Sequence, residues 1–157
     1  MSSFLATQSP PAPAAEPRIE NDGWAPDVDP AAVRAQARLD GTVTAPRLRA
    51  ALLLAIADVN AELAGVRAAS QAAGVPSLAE RPGANLGGQR VWLVYYQQAI
   101  VSHVQCTLIE AYRDFDTTAT GDVKSQAIEA RIDSHRRDLR WAISALLERK
   151  RTTVELI

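Results

Sequence analysis

Cysteine is almost absent from this chain. Its one thiol, Cys106, has no partner for an intrachain disulfide, so the fold must stand on its core, in a reducing compartment such as a cytoplasm. Histidine is nearly as scarce. His103 and His135 both lack a glutamate three residues before them, which removes the Glu-x-x-His signature of carboxylate-bridged metal bundles. His-Glu-x-x-His is missing too, and Gly87-Gly88-Gln89-Arg90 lacks the Gly-Lys-Ser/Thr of a phosphate loop. Excess charge is missing: 17 basic and 18 acidic side chains leave −1, unlike the basic face of a free-standing DNA binder. No long hydrophobic run exists. Ala50 to Ala57 is the longest, far short of a bilayer span, and the first residues lack the basic and apolar regions of a secretory signal. A soluble chain with no membrane contact, no cofactor and no metal is expected, and no catalytic constellation stands out.

What is present favours helix. At 157 residues, with 47% hydrophobic and only 5% aromatic content, the chain suits one domain. It is rich in alanine and unbranched side chains, which lose little entropy in helices. Four prolines between Ser9 and Pro17 make a polyproline-like leader. The acidic, turn-rich segment Ile19 to Asp29 follows, with Trp24 at its centre. Two readings stand for that tryptophan and its neighbour Asp22. The arm folds back onto its own domain, the commoner arrangement, or it contacts a neighbouring subunit.

Helix signals then repeat. Asp29-Pro30 starts a short helix that Asp40-Gly41 ends through a glycine cap. Thr44 and Pro46 open a second, whose stripe is Leu52, Ile56, Val59, Leu63 and Val66, and Gly74 and Pro76 stop it. The stretch from Gly74 to Gly88 reads as a long loop. A third helix covers about residues 89–115, with Val94, Val101, Val104, Leu108, Ala111, Tyr112 and Phe115 inward. A fourth covers about residues 123–149, with Ile128, Ile132, His135, Leu139, Ile143 and Leu146 inward. The expected fold is all-α: an antiparallel bundle of three long helices and one short one. Residues 1–28 form a flexible arm, 29–150 the helical domain and 151–157 an extended tail. The tail residues Thr152, Thr153, Val154, Glu155, Leu156 and Ile157 alternate like a strand with no partner strand in their own chain, so they are candidate contacts to another chain.

Two basic clusters complete the candidate residues: Arg136, Arg137 and Arg140 on the fourth helix, and Arg149, Lys150 and Arg151 at its end. Such runs usually mean a solvated face. The functional reading is contact with phosphate or with a charged neighbour. A helical DNA-binding or regulatory module using these residues is the alternative reading of the whole chain. Neutral net charge and the lack of a helix-turn-helix spacing weigh against it.

Several stretches together resemble a known family. They are Asn21-Asp22-Gly23-Trp24 with Pro26-Asp27, Arg38-Leu39-Asp40-Gly41-Thr42-Val43-Thr44, and Val59-Asn60-Ala61-Glu62-Leu63. Residues 112–122, Arg136-Arg137-Asp138 with Arg140-Trp141-Ala142-Ile143, and Thr153-Val154-Glu155-Leu156-Ile157 continue the series. The combination resembles the head completion (gpL) proteins of temperate contractile-tailed phages, relatives of helical head-to-tail connector proteins, over nearly the whole chain after the leader. The resemblance implies a structural piece and not an enzyme. Such a piece joins the portal vertex after DNA packaging, helps retain the genome and readies the head for a tail. It implies a virion neck location and these partners: the portal protein, a tail-side neck or terminator protein, the packaged DNA end, and copies of the chain in a ring of about twelve.

Overall fold

Residues 16–113 and 122–149 are described by the computed structural model of the chain. Among them are five helices: α1 (Pro30–Gln36), α2 (Ala45–Glu62), α3 (Ala64–Ala72), α4 (Val91–Arg113) and α5 (Asp122–Leu146). A 3-10 turn (Leu78–Glu80) and a hairpin of β1 (Asn85–Leu86) and β2 (Gln89–Arg90) lie between α3 and α4. The fold is mainly α, as expected, with this hairpin as the departure from an all-α reading. Gly87 and Gly88 both have positive φ, at 58° and 82°, which is what a tight two-residue turn requires of its central pair.

α4 is the central helix. Ala99, Ile100, Val101 and Ser102 are buried in succession, so the helix is covered on every side at that level. α2 runs antiparallel to it: Asp58 meets His103, while Asn60, later in α2, meets Tyr96, earlier in α4. α5 covers another side, also antiparallel. Cys106 lies against the Ile132 carbonyl in the first half of α5. At the opposite end, Arg81 spans from the Trp92 ring to the Leu146 carbonyl.

Leu52, Val59, Leu63, Leu108 and Ile132 are buried as expected, whereas Leu139 and Ile143 are only partly so. The fully buried anchor of α5 is Leu146, joined by Ala142. Val94 and His135 are partly buried as well. Side chains of residues 112–125 are outside the described part, as is Phe115.

Three boundaries differ from expectation. The second helix is two helices, bent at Leu63 (φ −88°, ψ 0°). Glycine at position 65 weakens helix there, and the bend lies between Asn60 and Arg67, which both bond to the Asn21–Asp22 turn. α1 ends at Gln36, well before Gly41. The left-handed residue is Arg38 (φ 53°), with Arg38 N–H on the Ala35 carbonyl and Leu39 N–H on the Arg34 carbonyl, a Schellman closure without glycine. Finally, a division at residue 28 does not hold. Ile19, Trp24, Ala25 and Val28 belong to the main core, and Ile19 and Val28 exchange two backbone hydrogen bonds, so residues 19–28 are part of the domain.

Candidate functional site

The N-terminal turn is built around two polar residues. Asp22 Oδ1 accepts from the N–H groups of Trp24 (3.0 Å) and Ala25 (2.9 Å), while Gly23 supplies the positive φ of 80° that lets the chain reverse. Asp22 Oδ2 pairs with Arg67 at 2.6 Å. Asn21 Nδ2 donates to the Tyr96 hydroxyl (2.8 Å), which donates to Asn60 Oδ1 (2.9 Å), and Asn60 Nδ2 returns to Asn21 Oδ1 (2.8 Å). The three side chains close a ring of hydrogen bonds. Burial pushes the Tyr96 hydroxyl up to about 12, against the lowering effect of its bond from Asn21.

Trp24 is 3% exposed. Of the two readings for Asp22 and Trp24, folding back onto the same domain is the one this geometry follows: the indole is in the chain's own core and the carboxylate braces α3. Leu78 N–H donates to the Trp24 carbonyl at 2.9 Å, so the Gly74–Gly88 segment is pinned here as well.

That segment also reaches the end of α5. The Arg81 guanidinium lies 4.1 Å over the Trp92 ring, donates to the Leu146 carbonyl at 2.8 Å and pairs with Glu148 at 2.7 Å. Trp92 Nε1 donates to the Pro82 carbonyl (2.8 Å), and Gly83 is so close to the indole that a Cβ there would sit 2.5 Å from Nε1. These contacts fix where the chain leaves α5 toward the tail. Lys150, Arg151 and Thr152 to Ile157 lie outside the described residues.

The basic residues of α5 are on its outer surface. Arg136 pairs with Glu110 of α4 and lies 3.7 Å from Asp133. Arg137 sits 5.2 Å over the Trp141 ring. Arg140 and Arg149 are exposed. Arg136 is thus balanced locally, while Arg137, Arg140 and Trp141 form a surface that is both cationic and aromatic. Trp141 is 46% exposed; it falls off the inward spacing of α5, and that spacing alone does not mark it as a surface feature. Leu53 and Leu54 are similarly exposed on α2. Their signal was legible: in Leu52-Leu53-Leu54 only Leu52 fits the inward spacing.

His103 Nε2 meets Asp58 at 2.9 Å and its Nδ1 lies 3.3 Å from the Thr107 hydroxyl, which also donates to the His103 carbonyl at 3.1 Å, a bond internal to the helix. Burial, reinforced by Glu110, pushes the Cys106 thiol up to about 11, the opposite of an activated nucleophile. Burial holds His135 below its ordinary value. Among the described residues no three His, Cys, Asp or Glu side chains gather as a metal site, and no helix is long and apolar enough to cross a membrane.

The family described as phage head completion protein (GPL) matches residues 19–157. A head completion/stabilization protein of Escherichia phage P2 is 38% identical over 142 residues, covering 90% of this chain and 84% of the relative. No solved structure matches.

Proposed function

The chain belongs to the phage head completion protein (GPL) family, and from that premise we propose how it completes and stabilises the phage head. It docks on the portal vertex after DNA packaging, helps to retain the genome, and forms part of the head-to-tail connector. It is a structural virion component of the neck and not an enzyme. The observation that carries this is the family match, which begins at Ile19, where the packed core begins, and continues through the tail.

The geometry supports such a role in three ways. Stiff antiparallel helices suit a wedge in a closed ring, for which about twelve copies is the expectation. Half-exposed Leu53, Leu54 and Trp141 are the kind of side chain that neighbouring subunits cover. Arg137, Arg140 and Arg149, with Lys150 and Arg151 beyond, would raise positive potential beside the packaged DNA end if this side faces the ring axis. Arg136 contributes least, since Glu110 and Asp133 already balance it.

The tail carries the contact to the portal or to the tail-side neck protein. Its alternating residues need an edge or groove outside themselves, because a lone strand leaves its ladder hydrogen bonds unmade. Removing Val154 to Ile157 tests this. The truncated protein should stay soluble and helical with a nearly unchanged melting temperature, yet fail to join portal-bearing heads to the next component. Melting many degrees lower would assign the tail to its own core. Normal melting with infectious particles would end the role proposed for it.

A further inference from the structure

The outer face of α2 is apolar where a solvated helix is polar. Ala50, Leu53, Leu54, Ala57 and Ala61 are all exposed, and their spacing puts them on the side of the helix opposite Leu52, Ile56 and Val59 of the core. Residues 50–57 read Ala-Ala-Leu-Leu-Leu-Ala-Ile-Ala, with no polar side chain. A helix that is apolar all round is a helix meant to be covered all round. The inner face of α2 is covered by α4, through contacts such as Asn60 to Tyr96 and Asp58 to His103.

The charges at the two ends of α2 point to what covers the outer face. Arg47 and Arg49 stand near its N-terminus, and Asp58 and Glu62 near its C-terminus. This order runs against the helix dipole, which favours anions at the start and cations at the end. An antiparallel copy of the same helix turns the mismatch into a match, since each basic end then lies beside the partner's acidic side chains and its carbonyl end. The register agrees. At about 3.6 residues per turn, Arg47, Asp58 and Glu62 fall on one flank of the apolar face, and a two-fold axis brings like flanks of antiparallel helices together. Glu62 is exposed, and Asp58, which also meets His103, keeps 56% of its side chain exposed. With Leu53 of one copy level with Leu54 of the other, Ala50 comes level with Ala57. Arg47 then comes level with Asn60, between Asp58 and Glu62. The alanines let the two helices approach closely.

We propose that the free protein pairs with a second copy of itself through antiparallel α2 helices, with Leu53 and Leu54 at the two-fold axis and Arg47 of each copy between Asp58 and Glu62 of the other. Both halves of such a pair use the same surface, whereas a head-to-tail ring joins unlike surfaces. The pair is therefore a state of the protein before it joins the head, and it stands or falls separately from the role on the head.

Sedimentation velocity on the full chain at rising concentration tests this. Monomer should give way to dimer in the micromolar range of a small interface. Leu54→Glu, at a half-exposed position, should weaken pairing about tenfold or more while the melting temperature stays unchanged. Arg47→Glu and Glu62→Arg should each pair poorly alone, yet pair with one another when mixed, because the mixed pair restores opposite charges at both contacts. A monomer at every concentration would overturn the proposal. So would a dimer indifferent to Leu54→Glu, or charge variants that fail to recover on mixing. Oligomers that grow past two would overturn it as well, by assigning the face to a head-to-tail neighbour.

Discussion

The Asn60 side-chain amide donates to Asn21 Oδ1 at 2.8 Å, joining segments 39 residues apart. With Tyr96 it closes the ring that locks the N-terminal turn onto α2 and α4. Asn60→Ala strips a partner from both other members. It should cost about 1–3 kcal/mol, the penalty of leaving buried polar groups unpaired. Chemical denaturation measures it. In a cycle with Asn21→Ala, the double variant should lose less than the sum of the two single losses. Strict additivity would show that the ring does not act as a unit.

The same ring sets an alkaline limit. In the unfolded chain Tyr96 ionises near pH 10; in the folded protein burial pushes it up to about 12. The folded state thus holds the proton over that window. Its contribution is fully present below pH 10 and is lost as pH rises toward 12, amounting to roughly 2–3 kcal/mol for a two-unit shift. Cys106, pushed up to about 11, adds a loss of the same sign that begins near pH 9. Unfolding titrations from pH 8 to 12 should flatten stepwise in Cys106→Ala and then in Cys106→Ala with Tyr96→Phe.

Backbone conformation at two helix ends gives predictions of different size for one kind of substitution. Arg38 and Glu148 both have left-handed φ, 53° and 52°, where a side chain costs about 1–2 kcal/mol. Arg38→Gly should raise stability by roughly 0.5–1 kcal/mol. Glu148→Gly relieves the same strain but removes the pair to Arg81, so its gain should be smaller. Melting temperatures of the two variants check the order.

These ends also show what the sequence makes legible. Gly74 (φ 78°) closes α3 through the Val75-to-Ser70 hydrogen bond, as its position after an apolar stripe implies. The end of α1 could not be read the same way, because Arg38 takes the conformation that glycine normally marks and Gly41 does not. The inward spacing of α5 gives Leu139 and Leu146 equal standing among six residues, yet Leu146 is fully buried and Leu139 only partly. Which part of the stripe is deepest depends on where α4 crosses α5, and that is a tertiary property. The candidate surfaces were legible as residue types. Whether Trp24 faced inward depended on partners as distant as Leu78 and on a polar ring drawn from three segments.

Core depth gives a direct comparison. Leu146→Ala, at a fully buried site, should cost about 2–5 kcal/mol, and Leu139→Ala should cost less. Gly83→Ala should cost about 1–3 kcal/mol by driving a methyl into Trp92. A red shift in tryptophan emission would accompany the displacement of the buried Trp92 toward solvent. Equal losses for the two leucines would move the α4–α5 crossing away from Leu146.

If the outer face of α5 lies beside the DNA, charge removal there should act on the genome and not on the fold. Arg137→Gln, Arg140→Gln and Arg149→Gln together should leave the melting temperature within a few degrees, since exposed charges contribute about 0–1 kcal/mol each. Particles carrying them should leak DNA. Full genome retention would return this face to an ordinary solvated surface.

The most direct measurement of the central claim uses heads that have packaged DNA without this protein. Purified protein added to them should bind, leave the genome resistant to nuclease, and allow tails to join. Heads that retain nuclease-resistant DNA and accept tails equally well without it would contradict a head completion role for this chain.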